Sequence, residues 1–384
     1  MKKMLSLAAM FAVLSYASTA SAEVKFGGDV SVRVREVSNE KANEAKDNIS
    51  YAYRTRLNVS GDFEGGYIFR AVISNEAPNV TSTGVVALGG GGGFQTVGYG
   101  NTELYTFGAT QLYFGRFYGD SGGSHYLVGR LPLNSSNNPV FDLHLYPSNP
   151  LDVPTSTFNN DRLFGFNYGT KIGSGDLNAV IGVFDNLSAG NTAGTGDGLL
   201  NDGYAVSIAY KIKAGDFTLE PQVLTALTHH DTITQNTFSP TSASYGTPWH
   251  QGIAPLTIGA NVGALVSDVK LGFSGFYTSG KGTTPTSTNF GAGGGSNVDY
   301  SGYLLRFKAE YGQFLAWYDL NKTTDKSAAT TDYTNNFVWV QYKIPSGKVT
   351  FQPTLRYLTS NKHTALADTK TSRLRSEVVA TLTF

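Results

Sequence analysis

The chain has 384 residues, with 29 Lys and Arg against 29 Asp and Glu, six His and no Cys, at a mean hydropathy of −0.17. That balance excludes a disulfide scaffold and gives no bulk charge for binding nucleic acid or for selecting anions, so the placement of charge has to decide. Forty-five Gly, 22 Tyr and 23 Phe beside three Met and three Trp describe a β-rich chain.

Lys2 and Lys3 precede an apolar stretch from Met4 to Ala17, and Ala20, Ser21 and Ala22 form an A-x-A cleavage site before Glu23. Residues 1–22 are therefore expected to be a signal peptide, since the apolar stretch falls short of the roughly 18 to 20 residues a spanning helix needs. Its removal leaves 27 basic and 29 acidic residues. An exported chain without cysteine relies on burial and ladder hydrogen bonds, which suits a closed barrel.

From Glu23 onward the period-two and aromatic-rich patterns predict strands near 24–37, 48–62, 66–76, 103–118, 123–131, 161–169, 175–185, 202–212, 215–228, 252–265, 268–280, 298–310, 313–321, 333–344, 347–360 and 371–384. That makes sixteen. Short turns such as Glu64-Gly65, Lys213-Ala214-Gly215, Ser267-Asp268 and Pro345-Ser346-Gly347 alternate with longer polar segments at 38–47, 77–102, 132–160, 229–251 and 281–297. No linker or break in composition divides residues 23–384, and the glycine run Gly89 to Gly93 falls inside a loop. Pro221 and Pro353 lie within predicted strands, where each removes a ladder donor, so a bulge or local break is expected at both.

Strand parity separates charge from apolar surface. Phe26, Val30, Val32 and Val34 oppose Lys25, Asp29, Ser31, Arg33 and Arg35; Tyr51, Tyr53, Leu57 and Val59 oppose Arg54, Arg56, Asn58 and Ser60; Leu305, Phe307 and Ala309 oppose Arg306, Lys308 and Glu310. The last segment sets Leu374, Val378, Ala380, Leu382 and Phe384 against Arg373, Arg375, Glu377, Thr381 and Thr383. One face in lipid and the other in water is the pattern of a transmembrane barrel, and its polar lumen dilutes the average hydropathy to that of a soluble protein. A soluble sandwich also alternates, but it does not account for the terminal aromatic, the long-short rhythm or the Tyr and Phe near strand ends.

These features together resemble the general porin family of Gram-negative bacteria. The resemblance spans the mature chain and rests on architecture; a third-loop acidic motif of the Pro-Glu-Phe-Gly type is absent. It implies an all-β, transmembrane, antiparallel up-and-down barrel of the outer membrane, with a long third loop folded into the lumen. It also implies a homotrimer, with Phe384 as the signal read by the barrel-assembly machinery. In that family pattern the lipid-facing surface of the first five strands and the last forms the trimer contact, and the 77–102 loop could latch onto a neighbour.

A channel of this kind passes small hydrophilic solutes and ions, with no cofactor, no metal and no nucleic-acid partner. The constriction is expected in the segment 132–160, stiffened by Pro139, Pro147, Pro150 and Pro154 and carrying Asp142 and Asp152. Opposite it Arg33, Arg35, Arg54, Arg56, Arg70, Arg373 and Arg375 are expected to form one contiguous basic wall, because the last strand neighbours the first once the barrel closes. Arginine stays charged at physiological pH and is weakly hydrated, so a weak anion preference follows. The alternative for each arginine is pairing with Glu36, Asp62 or Glu377. Phe276, Trp317, Phe337 and Trp339 share the inward parity, which raises a sugar track as a second reading, and the arginines raise a phosphate or oxyanion channel as a third. An adhesive or enzymatic barrel is the remaining alternative. Of the histidines, all but His125 fall in predicted loops, without a nucleophile motif beside them.

Overall fold

A computed structural model describes residues 23–41, 44–75, 79–80, 86–87, 94–97, 107–119, 123–131, 164–185, 203–226, 256–283, 297–326 and 330–384. The predicted leader at 1–22 and the segment 132–160, with Asp142 and Asp152, lie outside the described residues. The barrel strands are β1 (Glu23–Lys41), β2 (Glu44–Phe63), β3 (Tyr67–Ser74), β4 (Gly108–Phe117), β5 (His125–Arg130), β6 (Phe164–Ile172), β7 (Gly175–Asp185) and β8 (Gly203–Ala214). They continue as β9 (Phe217–Ala226), β10 (Leu256–Val266), β11 (Val269–Thr283), β12 (Asn297–Tyr311), β13 (Phe314–Asp325), β14 (Thr331–Tyr342), β15 (Val349–Thr364) and β16 (Asp368–Thr383). Ile344–Ser346 prolongs β14 beyond Lys343. Each strand pairs antiparallel with the next, and β16 returns to β1 from Asp29↔Thr383 to Lys41↔Thr371, closing a barrel of 16 strands. Closure joins the last strand to the first, the condition for crossing a bilayer with strands.

The side-chain period dictates what faces each side. Val30, Val32 and Val34 of β1 pair with Thr55, Tyr53 and Tyr51 of β2 and with Leu382, Ala380 and Val378 of β16, and all three valines are exposed on the outer surface. Tyr67, Phe217, Tyr311, Phe314, Tyr342 and Phe384 are exposed beside the short turns, while Tyr51, Phe164, Tyr277 and Tyr357 lie toward the opposite end. Aromatic rings at both margins of an apolar belt are the arrangement of a membrane barrel, where an amphipathic ring suits the headgroup level.

The closing seam is built around a glycine. Phe384 N–H donates to the carbonyl oxygen of Gly28 at 3.1 Å, and Gly28 N–H donates back to the Phe384 carbonyl at 2.9 Å. A Cβ on Gly28 would stand 2.7 Å from Cζ of the Phe384 ring and 2.3 Å from the Arg56 carbonyl oxygen. Only glycine lets that ring lie against β1.

One local expectation is corrected. Residues 38–47 do not form a long loop: β1 and β2 stay paired from Ser38↔Asp47 to Lys41↔Glu44. Polar composition marks the level above the apolar belt, but backbone groups there still find partners in the ladder. Pro221 and Pro353 bring the local ladder break that was one of the two outcomes expected there, without a bulge. The β8–β9 ladder skips the positions facing Pro221 and resumes in the same register at Ile212↔Leu219, and the β14–β15 ladder resumes likewise at Ile344↔Phe351. One missing donor interrupts one ladder; the register shifts lie instead at Val72/Ile73 and Val183/Asp185. Gln95 and Thr96 of the second long connection pair with Tyr53 and Ala52 of β2. They occupy the part of the β2 edge above Arg56↔Ser74, where β3 ends.

Candidate functional site

The register turns the separate basic residues into a ladder. Following the inward positions of β1 upward from the short-turn end, Asp29 pairs with Arg56, Ser31 with Arg54, Arg33 with Ala52, and Arg35 with Ser50 on β2. Next, Val37 pairs with Arg375 and Asn39 with Arg373 on β16. Six successive rungs each hold one arginine, spanning roughly 33 Å along the strands at two residues per rung. Arginine stems of this length let neighbouring guanidinium groups meet, so the six form one continuous basic strip.

Arg70 does not belong to that strip. It pairs with Ser60, which pairs with Lys25, placing it two rungs below Arg56. Its Nη2 donates to Asp62 at 2.6 Å and its Nη1 to the carbonyls of Gly61 and Phe69, both at 2.9 Å. The β2–β3 turn thus takes up this arginine locally.

An eighth arginine joins the ladder from β15. Arg356 pairs directly with Arg375, and its guanidinium donates to Glu377, which also accepts from Arg35 Nε at 2.7 Å. Parity exposes Arg356 in the sequence as well, since Thr354, Arg356 and Leu358 alternate with Leu355 and Tyr357. Of the expected acidic partners, Asp62 takes Arg70 and Glu377 takes Arg35 and Arg356, whereas Glu36 has outward parity beside Val34. Asp29 was not singled out as a partner, yet it holds Arg56 at 2.8 Å and Arg54 at 3.6 Å.

Aromatic rings hold the strip from both sides. Phe94, from the second long connection, lies 4.3 Å from Arg33 Cζ and 4.7 Å from Arg54 Cζ, so one ring contacts two like charges. Cation–π contact of this kind contributes about 0.5 to 2 kcal/mol each. On the other side Trp339 stacks on Trp317 with centroids 4.4 Å apart and planes 13° from parallel, and Arg356 Cζ sits 3.8 Å from the Trp339 ring centre. Both faces of Trp339 are therefore occupied. Arg306 approaches Trp317 at 5.1 Å and is itself neutralised by Asp319 through a two-pronged contact at 2.7 and 2.9 Å. Phe276 and Phe337 are nearly fully buried inward residues. The signal for Phe94 is absent from the sequence, because period two stops in the loop that carries it.

The rest of the described wall is different in kind. At mid-height β9–β14 present Gln222, Thr257, Thr278, Asn321 and Asn335, with Thr257 bonded to Thr278 at 2.9 Å and Asn335 to Asn321 at 2.8 Å. Charge on these strands is paired or sparse: Gln222 donates to Glu220, and Arg306 is matched by Asp319. The described lumen therefore carries its basic strip on β1, β2, β15 and β16 against a wall that is mostly uncharged at mid-height. Among the described residues no group of three or more His, Cys, Asp or Glu could hold a metal. His125 stacks on Phe117 at 4.8 Å, and His363 pairs with Asp368 at the β15–β16 hairpin.

No family model matches the sequence, and no curated protein matches it. Solved structures do match in fold. An anion-selective porin from Comamonas acidovorans aligns with a TM-score of 0.55 at 12% identity, over 95% of this chain and all of that one. The trimer form of OmpT, an outer membrane protein of Vibrio cholerae, gives 0.54 at 8% identity over 94% and 99%. OprB of Pseudomonas putida gives 0.53 at 12% over 94% of each chain. At such identities the likeness is one of fold, and with the closed, aromatic-girdled barrel it makes the chain a porin-like β-barrel of the bacterial outer membrane.

Proposed function

We propose that the chain is a non-enzymatic diffusion channel: a water-filled outer-membrane pore for small hydrophilic solutes and ions with a weak to moderate anion preference, working as a homotrimer. The observation that carries this reading is the ladder of arginines on six consecutive rungs of a closed barrel, facing a wall that is mostly uncharged at mid-height. A transverse or axial positive field in confined water attracts anions, while a water-filled path keeps the barrier low for any small polar solute. Two of the fold neighbours, an anion-selective porin and a trimeric outer membrane protein, support it. Asp142 and Asp152 enter the proposal as the acidic side of a third-loop constriction, and Phe384 as the assembly signal.

The aromatic residues favour this reading over a sugar track. A sugar ring needs an open indole face, and Trp339 has its two faces taken by Trp317 and Arg356. An oxyanion channel is the second reading, favoured by the excess of guanidinium over carboxylate in the upper strip.

The test is ion selectivity in planar bilayers. Replacing Arg33, Arg54 and Arg375 by Ala removes three rungs and should move the zero-current potential under a KCl gradient toward cation preference. An unchanged potential in folded, conducting channels would mean that this wall is not the filter.

A further inference from the structure

The ladder is not uniformly neutralised. Its two lowest rungs, Arg56 and Arg54, share Asp29. Above them Arg33, Arg35, Arg356 and Arg375 gather around one described carboxylate, Glu377. Arg375 lies within electrostatic reach of Arg373, Arg35, Arg356 and Glu377; Arg33 lies within reach of Arg35, Arg54 and Glu377. Four cations with one anion leave, among the described residues, an excess of positive charge in a space where the Arg35 and Arg356 side chains are only 17% and 13% exposed and Glu377 only 2%. The Nε atoms of Arg33 and Arg375 are buried without a hydrogen-bond partner among the described residues. Like charges packed with so little water repel strongly, because solvent screens them poorly.

Geometry limits what could compensate that excess. Arg356 and Arg375 stand directly opposite each other on paired strands, about 5 Å apart at Cα. Arg33 and Arg35 are one inward step apart on the next strand, roughly 7 Å. Arginine side chains rooted at that spacing can bring their guanidinium forks onto one compact group with several charged oxygens, each fork donating two N–H bonds. Chloride carries one charge on one acceptor atom, so it offsets only part of the excess and cannot give each fork its own pair of oxygens. The site is lined by inward side chains, so its ligand is a dissolved anion rather than a lipid headgroup.

We propose that the upper tier, Arg33, Arg35, Arg356 and Arg375 around Glu377, is a saturable binding site for a compact multivalent oxyanion. This rests on the anion-preferring channel reading and adds a discrete site to it. Such an anion resides longer than chloride and retards chloride flow while bound. Glu377 competes for the same guanidinium groups and keeps the affinity low enough for release.

The experiment uses pyrophosphate as the probe, added to the channel in KCl, with chloride current followed against concentration at constant ionic strength. The expected result is a current that falls to a plateau, with half-saturation shifted at least about tenfold higher in Arg33→Ala/Arg375→Ala, the loss of two charge-assisted contacts. Heat stability of the detergent-solubilised protein supplies a second readout independent of conductance: pyrophosphate raises the melting temperature of the parent chain more than that of the variant. The single variant Arg375→Ala, checked for folding by heat-modifiable gel migration, serves if the double variant fails to fold. Current that declines without saturating, or a half-saturation equal in parent and variant, overturns the site. The zero-current potential on the same channels separates the two readings: anion preference without saturable block overturns the site alone, and saturable block with cation preference supports the site while overturning the wall as the selectivity filter.

Discussion

Glu377 is the residue on which the upper strip turns. It is almost fully buried and accepts from both Arg35 and Arg356, so it lowers the local charge and fixes two side chains at once. Glu377→Gln keeps the shape and removes the charge. Anion preference should rise, read as a larger anion-directed zero-current potential, and the barrel should lose roughly 3 kcal/mol because two buried cations lose their partner. A fall in anion preference would contradict the role assigned to it. Arg70 provides the opposite case. Its charge is absorbed by Asp62 two rungs below the strip, and Arg70→Ala should leave the zero-current potential within the scatter of the parent channel, although it removes the same formal charge as Arg375→Ala.

At the level of elements, the wall is a product of strand pairing and of aromatic supports that fix arginine rotamers. Arg356 is clamped between Trp339 and Glu377, so Trp339→Leu should loosen it and weaken anion preference, with a smaller effect than Arg356→Ala. The stacked Trp317–Trp339 pair gives an exciton signal in circular dichroism, which should vanish in Trp339→Leu and persist in Arg356→Ala; a signal unchanged by Trp339→Leu would refute the stack. The β1–β16 seam depends on Gly28, where any side chain collides with the Phe384 ring. Gly28→Val should sharply reduce folded barrel recovered from refolding and lower its melting temperature, whereas Gly108→Val, at a glycine with open space around it, should not. The sixteen strands and the inward parity of every ladder arginine were legible because a period of two is local and strong. Which arginines meet was not, since that depends on register: Arg70 and Arg56 look equivalent along the chain, yet one falls on a turn acid and the other on Asp29. Phe94 and the extended tips of β1 and β2 were illegible for a related reason, because pairing beyond the apolar belt follows from backbone hydrogen bonding and leaves no hydrophobic alternation to read.

Over the whole molecule, the barrel segregates its surfaces three ways. The outside is apolar with aromatic margins, the lumen is basic on four adjacent strands, and the rest of the described wall is mostly uncharged at mid-height, with its Arg306 matched by Asp319. Lipid contact and solute contact are thus assigned to alternate residues of the same strands, so either can change with little effect on the other. A chain with balanced overall charge can in this way carry a strongly basic channel wall: many of its acids stand at strand ends and turns, among them Asp62, Asp216, Asp268 and Asp368. The central claim, that the ladder sets the charge preference of an open pore, is tested most directly by the zero-current potential of the refolded parent protein in a planar bilayer under a KCl gradient. A conducting channel with an anion-selective potential is the predicted result. A cation-selective potential, or no conductance from a correctly folded barrel, would contradict it.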